Sequence, residues 1–194
     1  MTGSGEDSSV NRLAVQYPGG LAARYRWGGS GSGQAVFGIS EAEGTLNDFS
    51  TLGAPVPGSA CRAELRVEGP VGTWTARFAS PVFDEPDAVL LDTAGLLVVR
   101  YGFIAYALDA RSGDLAWTQV SGTPTVAVLA STRLEHLILQ TEIETIALRP
   151  DGSVAWRAAH SDVVVEARLV AGRLDLTTYG GAHLYLDAQS GQAA

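Results

Sequence analysis

The stretch LLVVRYGFIAYALDARSGD, Leu96–Asp114, returns 78 residues later as LDLTTYGGAHLYLDAQSGQ, Leu174–Gln192. The two copies share a Tyr-Gly pair, at positions 101 and 179, and a Leu-Asp-Ala-x-Ser-Gly turn with its aspartate at Asp109 or Asp187. A third copy, LILQTEIETIALRPDGSVAW, covers Leu137–Trp156 and places its glycine midway between the turn glycines of the other two. Three copies at a fixed spacing indicate a repeat architecture.

Each copy consists of short runs of aliphatic and β-branched residues between glycine- and proline-rich turns, a pattern typical of strands. Asp109 and Asp187 are expected to cap their turns through a side-chain oxygen, because a residue repeated in each unit serves the architecture. The tryptophans Trp74, Trp117 and Trp156 are expected to pack between units. Another short strand precedes each copy, which gives four antiparallel strands in about 40 residues, the size of one propeller blade.

The segment YALDARSGDLAW, Tyr106–Trp117, and its copies resemble the repeat of the pyrroloquinoline-quinone-type (PQQ-like) β-propellers. This resemblance covers Pro81 to the C-terminus. The middle copy departs from it, with Thr141-Glu142 in place of Tyr-Gly and Arg149-Pro150 in place of the turn aspartate. The resemblance implies blade architecture and leaves function open, because similar blades occur in assembly scaffolds, sensors and quinone enzymes.

We therefore predict an all-β chain that forms a small β-propeller of about four blades, each with four antiparallel strands. The last copy stops before its tryptophan strand, and an open blade edge is a liability. An N-terminal strand, Leu13–Tyr17 or Leu21–Trp27, is expected to complete it. Two alternatives stay open: residues 12–78 could form a separate β cap with a ring built across subunits, or the blades could form a sandwich that never closes.

The predicted organisation is a disordered tail at 1–11 and a single propeller-like domain at 12–194. Within the domain, residues 12–78 provide the closing strand and a degenerate blade, and residues 79–120, 121–160 and 161–194 provide three PQQ-like blades. The glycine-rich stretch Gly28–Gln34 lacks both a following helix and a phosphate-loop lysine. We interpret that stretch as a flexible hairpin loop.

The chain has 21 acidic and 13 basic residues, a net charge of -8, and every basic residue is arginine. The absence of lysine excludes Schiff-base and phosphate-loop lysines. The acidic balance and the lack of a basic run argue against nucleic-acid binding and favour a basic partner. The single cysteine, Cys61, excludes an intramolecular disulfide. With no signal peptide and no membrane-length apolar run, a cytoplasmic setting is expected.

No cofactor or metal is expected, because no motif for either stands out. His136, His160 and His183 lack the spacing of a metal pair and are interpreted as single polar residues at the rim. The acidic group Asp84–Asp87 is interpreted as a solvated loop. A partner-binding rim is expected where the second strand of each unit meets its turn. Its candidate residues, one pair per blade, are Arg100, Tyr101, Thr141, Glu142, Thr178 and Tyr179.

These observations predict a non-catalytic propeller that acts as a scaffold for protein–protein interaction, with no nucleic acid or membrane as partner. One alternative is an immunity-type inhibitor of a basic protein, and another is a lectin that uses the rim tyrosines. A quinoprotein-type enzyme remnant is disfavoured, because the resemblance implies that such enzymes use a much larger ring with a calcium-held cofactor. We favour a monomer.

Overall fold

The computed structural model describes residues 10–28 and 61–194, and the strands in those ranges form four antiparallel sheets. The predicted all-β class is confirmed, with sheets of three or four strands. The predicted tail lies outside the described residues except for Val10 and Asn11, and the first strand begins at Asn11. The predicted glycine-rich loop lies outside them except for Gly28.

The first sheet contains β1 (Asn11–Tyr17), β2 (Leu21–Gly28), β3 (Cys61–Gly69) and β4 (Gly72–Ser80). The second contains β5 (Asp87–Leu91), β6 (Leu96–Tyr101), β7 (Ile104–Asp109) and β8 (Leu115–Val120). The third contains β9 (Thr125–Leu129), β10 (Leu137–Thr141), β11 (Glu144–Leu148) and β12 (Val154–Ala159). The fourth contains β13 (Val164–Val170), β14 (Arg173–Thr178) and β15 (His183–Asp187).

The chain divides into two compact units between Pro86 and Asp87. The first unit holds the first sheet, in which apolar residues face one side and the charged residues face the other. In β3, Cys61, Ala63, Leu65 and Val67 are buried, while the intervening residues are charged. This period of two is what a sheet with one buried face requires.

The second unit stacks the other three sheets, and the third sheet is packed on both of its faces. The side chains of Leu137 and Leu139 in β10 join a core cluster with Val98 of the second sheet. Ile138 points the other way and joins a cluster with Leu174 of the fourth sheet. A strand buried on both faces is apolar at consecutive positions, which explains the uninterrupted run at 137–139.

A tryptophan of one sheet packs on a turn glycine of the next at two equivalent places. A Cβ atom built on Gly152 would lie 2.8 Å from Trp117 Cγ, and one built on Gly191 would collide with the ring of Trp156. The indole N–H of Trp117 also donates to the carbonyl of Pro150, at 2.8 Å. The predicted packing between neighbouring repeats is therefore confirmed for Trp117 and Trp156.

The predicted turn caps are confirmed as well. Asp109 Oδ1 accepts the backbone N–H groups of Arg111 and Ser112, at 2.8 and 2.9 Å. Asp187 accepts the two equivalent N–H groups of its own turn, at 3.1 and 2.8 Å. The N–H of Ser112, and then that of Arg111, hold the pKa of Asp109 below its ordinary value. In the middle copy, Arg149 occupies the position of Asp109, and Asp151, two residues later, accepts the Ser153 N–H at 2.9 Å.

The structure differs from the expectation that an N-terminal strand completes the last sheet. Both candidate segments lie in the first sheet, where β1 pairs with β2 along its whole length, from Asn11↔Trp27 to Tyr17↔Leu21. A hairpin closed by the three-residue Pro18–Gly20 turn costs far less chain entropy than pairing across the length of the chain. Among residues 10–28 and 61–194, the final residues of the sequence lie beside β15, and the Ala194 N–H donates to the Tyr185 carbonyl at 3.0 Å.

Candidate protein-interaction surface

Three equivalent turns form one end of the second unit, which we call the rim. They follow β6, β10 and β14, the second strand of each sheet. Backbone hydrogen bonds join them to the next sheet: Thr125 N–H donates to Gly102 O at 2.7 Å, and Val164 N–H donates to Glu142 O at 2.6 Å. All six candidate residues predicted from the sequence lie at this end of the unit.

The last copy has one residue more in its rim turn than the first copy. Tyr101 pairs with Ile104 across a two-residue turn. Thr178 N–H instead donates to the carbonyl of Ala182 at 2.9 Å, across three residues. Tyr179 therefore lies one position beyond the equivalent of Tyr101, so the sequence alignment of the two tyrosines is off by one. A shift of one residue reverses the face on which a side chain lies.

Burial separates the six candidates into two groups. Tyr101 is only 1% exposed, and Thr141 and Thr178 are buried as well. The side chain of Arg100 is largely buried, and its Nη1 donates to the carbonyl of Thr125 at 3.1 Å, which links β6 to β9. Tyr179 is 82% exposed. Of the predicted rim residues, Tyr179 and the half-buried Glu142 are the ones placed in turns where a partner could reach them.

Sequence reasoning missed the exposed aliphatic residues of the rim. Val120 ends β8, Ile143 lies in the turn after β10, and Val163 precedes β13, and all three are exposed. Tyr179 N–H donates to the Val163 carbonyl at 2.7 Å, so these two residues are held side by side. We call Val120, Ile143, Val163 and Tyr179 the apolar rim residues. Their signal in the sequence was a large apolar side chain next to a turn, where polar residues are usual.

A buried polar network lies beneath the middle turn of the rim. The Thr145 hydroxyl donates to Gln140 Oε1 at 2.5 Å, and Gln140 Nε2 donates to the Thr141 carbonyl at 2.7 Å. The Thr141 hydroxyl donates to the Glu144 carbonyl at 3.1 Å and accepts the Glu144 N–H at 3.0 Å. A satisfied network of this kind fixes the turn above it in one conformation.

His160 closes this network at its solvent side. Its Nε2 lies 2.7 Å from the hydroxyl oxygen of Thr145. Because the one hydroxyl proton of Thr145 goes to Gln140, His160 Nε2 must carry the proton of the bond between them. Burial lowers the pKa of His160, and the carboxylate of Glu144 opposes that shift. The neutral imidazole is therefore the form that suits the folded chain.

Asp162 links the turn that carries Tyr179 to the segment that leads into β13. Its Oδ1 accepts the Val163 N–H at 2.8 Å, and its Oδ2 accepts the Gly180 N–H at 3.1 Å. A Cβ atom on Gly180 would lie 2.8 Å from that Oδ2, so a larger residue at this position would displace the carboxylate. The hydroxyl of Thr178, with these two N–H groups, holds the pKa of Asp162 below its ordinary value. Asp162 therefore stays ionised and positions Tyr179.

The carboxylates near the apolar rim residues make this end of the unit acidic. Asp87 begins β5, Glu142 lies in the middle turn, and Asp162 lies beside Tyr179. The guanidinium of Arg100 is largely buried, and its Nε lies 3.9 Å from Asp87 Oδ2. The apolar rim residues are thus accompanied by the carboxylates of Glu142 and Asp162.

The described ranges contain little that points to other chemistry. Within residues 10–28 and 61–194, no three His, Cys, Asp or Glu side chains gather closely enough to hold a metal ion. In the same part of the chain, no helix is long and apolar enough to cross a membrane. Cys61 is fully buried with a free thiol, and burial raises its pKa.

Comparison with known proteins places these sheets in a recognised fold. No protein-family model and no curated protein matches the sequence. Among solved structures, dihydro-heme d1 dehydrogenase NirN matches 96% of this chain with a TM-score of 0.52 and 13% identity. Sqt1 from Saccharomyces cerevisiae matches 94% with a TM-score of 0.51 and 10% identity. BamB from Moraxella catarrhalis, a PQQ-like β-propeller, matches 66% with a TM-score of 0.47 and 20% identity.

These matches share a fold and differ from this chain in length. The chain spans 47% of NirN, 57% of Sqt1 and 42% of BamB, about half of each structure. At such low identity the likeness concerns the fold alone. The fold of this chain is thus that of a β-propeller repeat, built from antiparallel sheets of three or four strands.

Proposed function

We propose that this chain is a non-catalytic interaction module that binds a partner protein through the apolar rim residues. The observation that carries the proposal is that Val120, Ile143, Val163 and Tyr179 are all exposed at the one end where the three sheets have equivalent turns. Exposed apolar side chains that cluster over a rigid support are typical of protein-binding surfaces.

Tyr179 is the proposed anchor of this surface. Its backbone is fixed by the Val163 carbonyl, and the neighbouring Gly180 is fixed by Asp162, so little conformational entropy is lost when the ring is buried by a partner. Tyrosine combines a large apolar area with a hydroxyl that can hydrogen-bond, which makes it frequent at the centre of interfaces.

The partner is proposed to be basic near its contact surface, since Glu142 and Asp162 flank the anchor and the whole chain carries a net charge of -8. Membership of the PQQ-like family, a monomeric state and a cytoplasmic setting stay proposals. The first rests on the YALDARSGDLAW repeat and the last on the single cysteine.

Affinity capture with matched variants tests the proposal. The tagged chain captures partners from an extract of its own cells, and each purified candidate is then titrated against the variants. The double variant Ile143→Ser/Tyr179→Ser is expected to weaken binding at least about tenfold, because two buried apolar side chains contribute roughly 1.5–3 kcal/mol each.

The control is Leu115→Ser/Tyr185→Ser, which alters one aliphatic and one tyrosine side chain that are exposed away from the rim. This variant is expected to bind like the unaltered chain. A partner whose affinity falls equally in both variants, or only in the control, would contradict the proposed surface.

A further inference from the structure

The second unit has a cavity at the end opposite the rim. Its walls include one aliphatic side chain from the first strand of each stacked sheet: Val89 of β5, Leu129 of β9 and Leu169 of β13. The cavity extends to the connections that lead into the second strands. Because neighbouring strands are antiparallel, these connections lie at the other end of the sheets from the turns of the rim. The volume of the cavity is about 400 Å³, a size typical of small-molecule sites.

The aliphatic wall of the cavity continues the two cores of the second unit. Val89 is partly buried and packs against the core cluster between the second and third sheets. Leu129 and Leu169 are partly buried as well and pack against the cluster between the third and fourth sheets. An apolar group placed on this wall is therefore removed from water without a change in the packing beneath it.

The loop that follows β9 supplies two polar groups to the same cavity. The Ser131 hydroxyl oxygen accepts the backbone N–H of Arg133 at 3.2 Å, which leaves the hydroxyl proton for another acceptor. The Arg133 side chain is exposed, and within residues 10–28 and 61–194 its guanidinium has no hydrogen-bond or ion-pair partner. A guanidinium offers a planar fork of donors that matches one carboxylate.

A two-residue turn between β13 and β14 forms another side of the cavity. Its residues, Ala171 and Gly172, both have a positive φ, 52° and 86°. Asparagine, aspartate and glycine are the usual residues at the first position of such a turn, so alanine strains the backbone there. Alanine keeps this side of the cavity apolar, whereas asparagine or aspartate would bring a polar side chain to it.

We propose that this cavity binds a small aliphatic carboxylate, in a site separate from the rim. The aliphatic chain of the ligand lies on Val89, Leu129 and Leu169. Its carboxylate pairs with the Arg133 guanidinium and accepts a hydrogen bond from the Ser131 hydroxyl.

The polar groups of the cavity favour this ligand class over two others. A single guanidinium offsets one negative charge, which suits a carboxylate better than a phosphate. A neutral alkyl compound would leave the donors of Arg133 unused. The chain carries a net charge of -8, and salt screens its long-range repulsion of a ligand with one negative charge.

Isothermal titration calorimetry with octanoate tests the site. The unaltered chain is expected to bind octanoate saturably and one to one. Butyrate has the same headgroup and a shorter chain, and it is expected to bind at least about tenfold more weakly because it buries less apolar surface. Octanol has the same chain length without the charge, and it is expected to bind about tenfold more weakly than octanoate.

Arg133→Gln separates the contribution of the charge from that of the aliphatic wall. This variant is expected to weaken octanoate binding about tenfold and to leave octanol binding unchanged, because only octanoate uses the guanidinium. Arg133→Lys keeps the charge without the fork and is expected to give an intermediate loss. The matched control, Arg111→Gln, removes the same charge from an exposed arginine in the turn after β7 and should bind octanoate like the unaltered chain.

Amide NMR spectra recorded during the titration locate the bound octanoate. The amides of Ala130, Ala171 and Gly172, which line the cavity, are expected to shift, and those of Glu142 and Tyr179 at the rim are not. Circular dichroism verifies that each variant is folded.

Several results would overturn the proposal. They are the absence of saturable octanoate binding, equal affinity for octanoate and butyrate, equal weakening of octanoate binding in Arg133→Gln and Arg111→Gln, and amide shifts at the rim instead of the cavity. An equal loss of octanoate and octanol binding in Arg133→Gln would likewise contradict the pairing of the carboxylate with the guanidinium.

Discussion

Replacing Gly152 by alanine tests whether the tryptophan–glycine contact holds neighbouring sheets together. Gly152 has a φ of +83°, and an added Cβ would lie 2.8 Å from Trp117 Cγ and 3.0 Å from Cδ2. Trp117 cannot simply move away, because its indole N–H donates to the Pro150 carbonyl at 2.8 Å. The substitution therefore imposes both backbone strain and a steric collision between two sheets.

The expected loss has two separable parts. Alanine at a positive φ costs about 1 kcal/mol, and overpacking a filled contact costs about 1–3 kcal/mol. Gly152→Ala should therefore lower the free energy of unfolding by about 2–4 kcal/mol. Gly172→Ala is the matched control, because Gly172 has a φ of +86° and nothing within 4 Å of its would-be Cβ. The control should lose only about 1 kcal/mol.

Urea denaturation followed by circular dichroism measures both losses. The difference between the two variants isolates the contact with Trp117 and should be about 1–3 kcal/mol. In a Trp117→Leu background this difference should shrink, because the smaller side chain leaves room for the new methyl group. Equal losses for Gly152→Ala and Gly172→Ala would refute the idea that the tryptophan packs on the turn of the next sheet.

Three further predictions concern the rim and the core. Asp162→Ala should increase hydrogen exchange at the amide of Gly180, measured by mass spectrometry, because its acceptor is removed; unchanged exchange there would argue against the bridge. The unaltered chain should lose stability when the pH is lowered from 7.5 to 5.5, and His160→Gln should reduce this loss, as measured by the urea midpoint at each pH. Folding lowers the pKa of His160, so below about pH 6.5 the unfolded chain takes up a proton that the folded chain does not. An equal loss of stability in the variant and in the unaltered chain would contradict this. Ile138→Ala should cost about 2–5 kcal/mol in the same assay, because it opens a cavity between two sheets, and a loss below 1 kcal/mol would show that the sheets do not pack there.

The repeat was readable from the sequence because its turns carry local chemistry. Asp109 and Asp187 bond to N–H groups two and three residues ahead, so the turn is determined by residues that are neighbours in the chain. The tryptophans were equally readable, since each recurs at a fixed distance from the turn glycine of the next copy. Local signals of this kind can be recognised in the sequence because they do not depend on the tertiary structure.

The six candidate residues lie at one end of the second unit, where Tyr101, Thr141 and Thr178 are buried and Tyr179 is exposed. A single extra residue in the turn after β14 moved Tyr179 out of register with Tyr101, and no feature of the aligned sequences marks where that residue is inserted. The exposed Ile143 and Val163 were overlooked because an apolar residue near a strand end is usually part of the core.

The charged face of the first sheet and the pairing of β1 depend on strand register, which neither charge runs nor incomplete blades reveal in the sequence. Arg12, Arg24, Arg62 and Arg77 come from four different strands, and only the register of the sheet brings them together. The alternation of charge in CRAELRVE was the available signal, because it predicts a strand with one charged face. The β1–β2 pairing followed from the short Pro18–Gly20 turn, whose closure is entropically inexpensive.

Site-specific photo-crosslinking at position 179 tests the proposed rim most directly. A photoreactive benzoyl-phenylalanine replaces Tyr179 in one variant and Tyr185, an exposed tyrosine in the same sheet, in another. Binding at the rim predicts a covalent adduct with a partner protein from position 179 and none from position 185. An adduct from position 185 alone, or no adduct from position 179, would contradict the proposal that the rim is where this chain meets its partner.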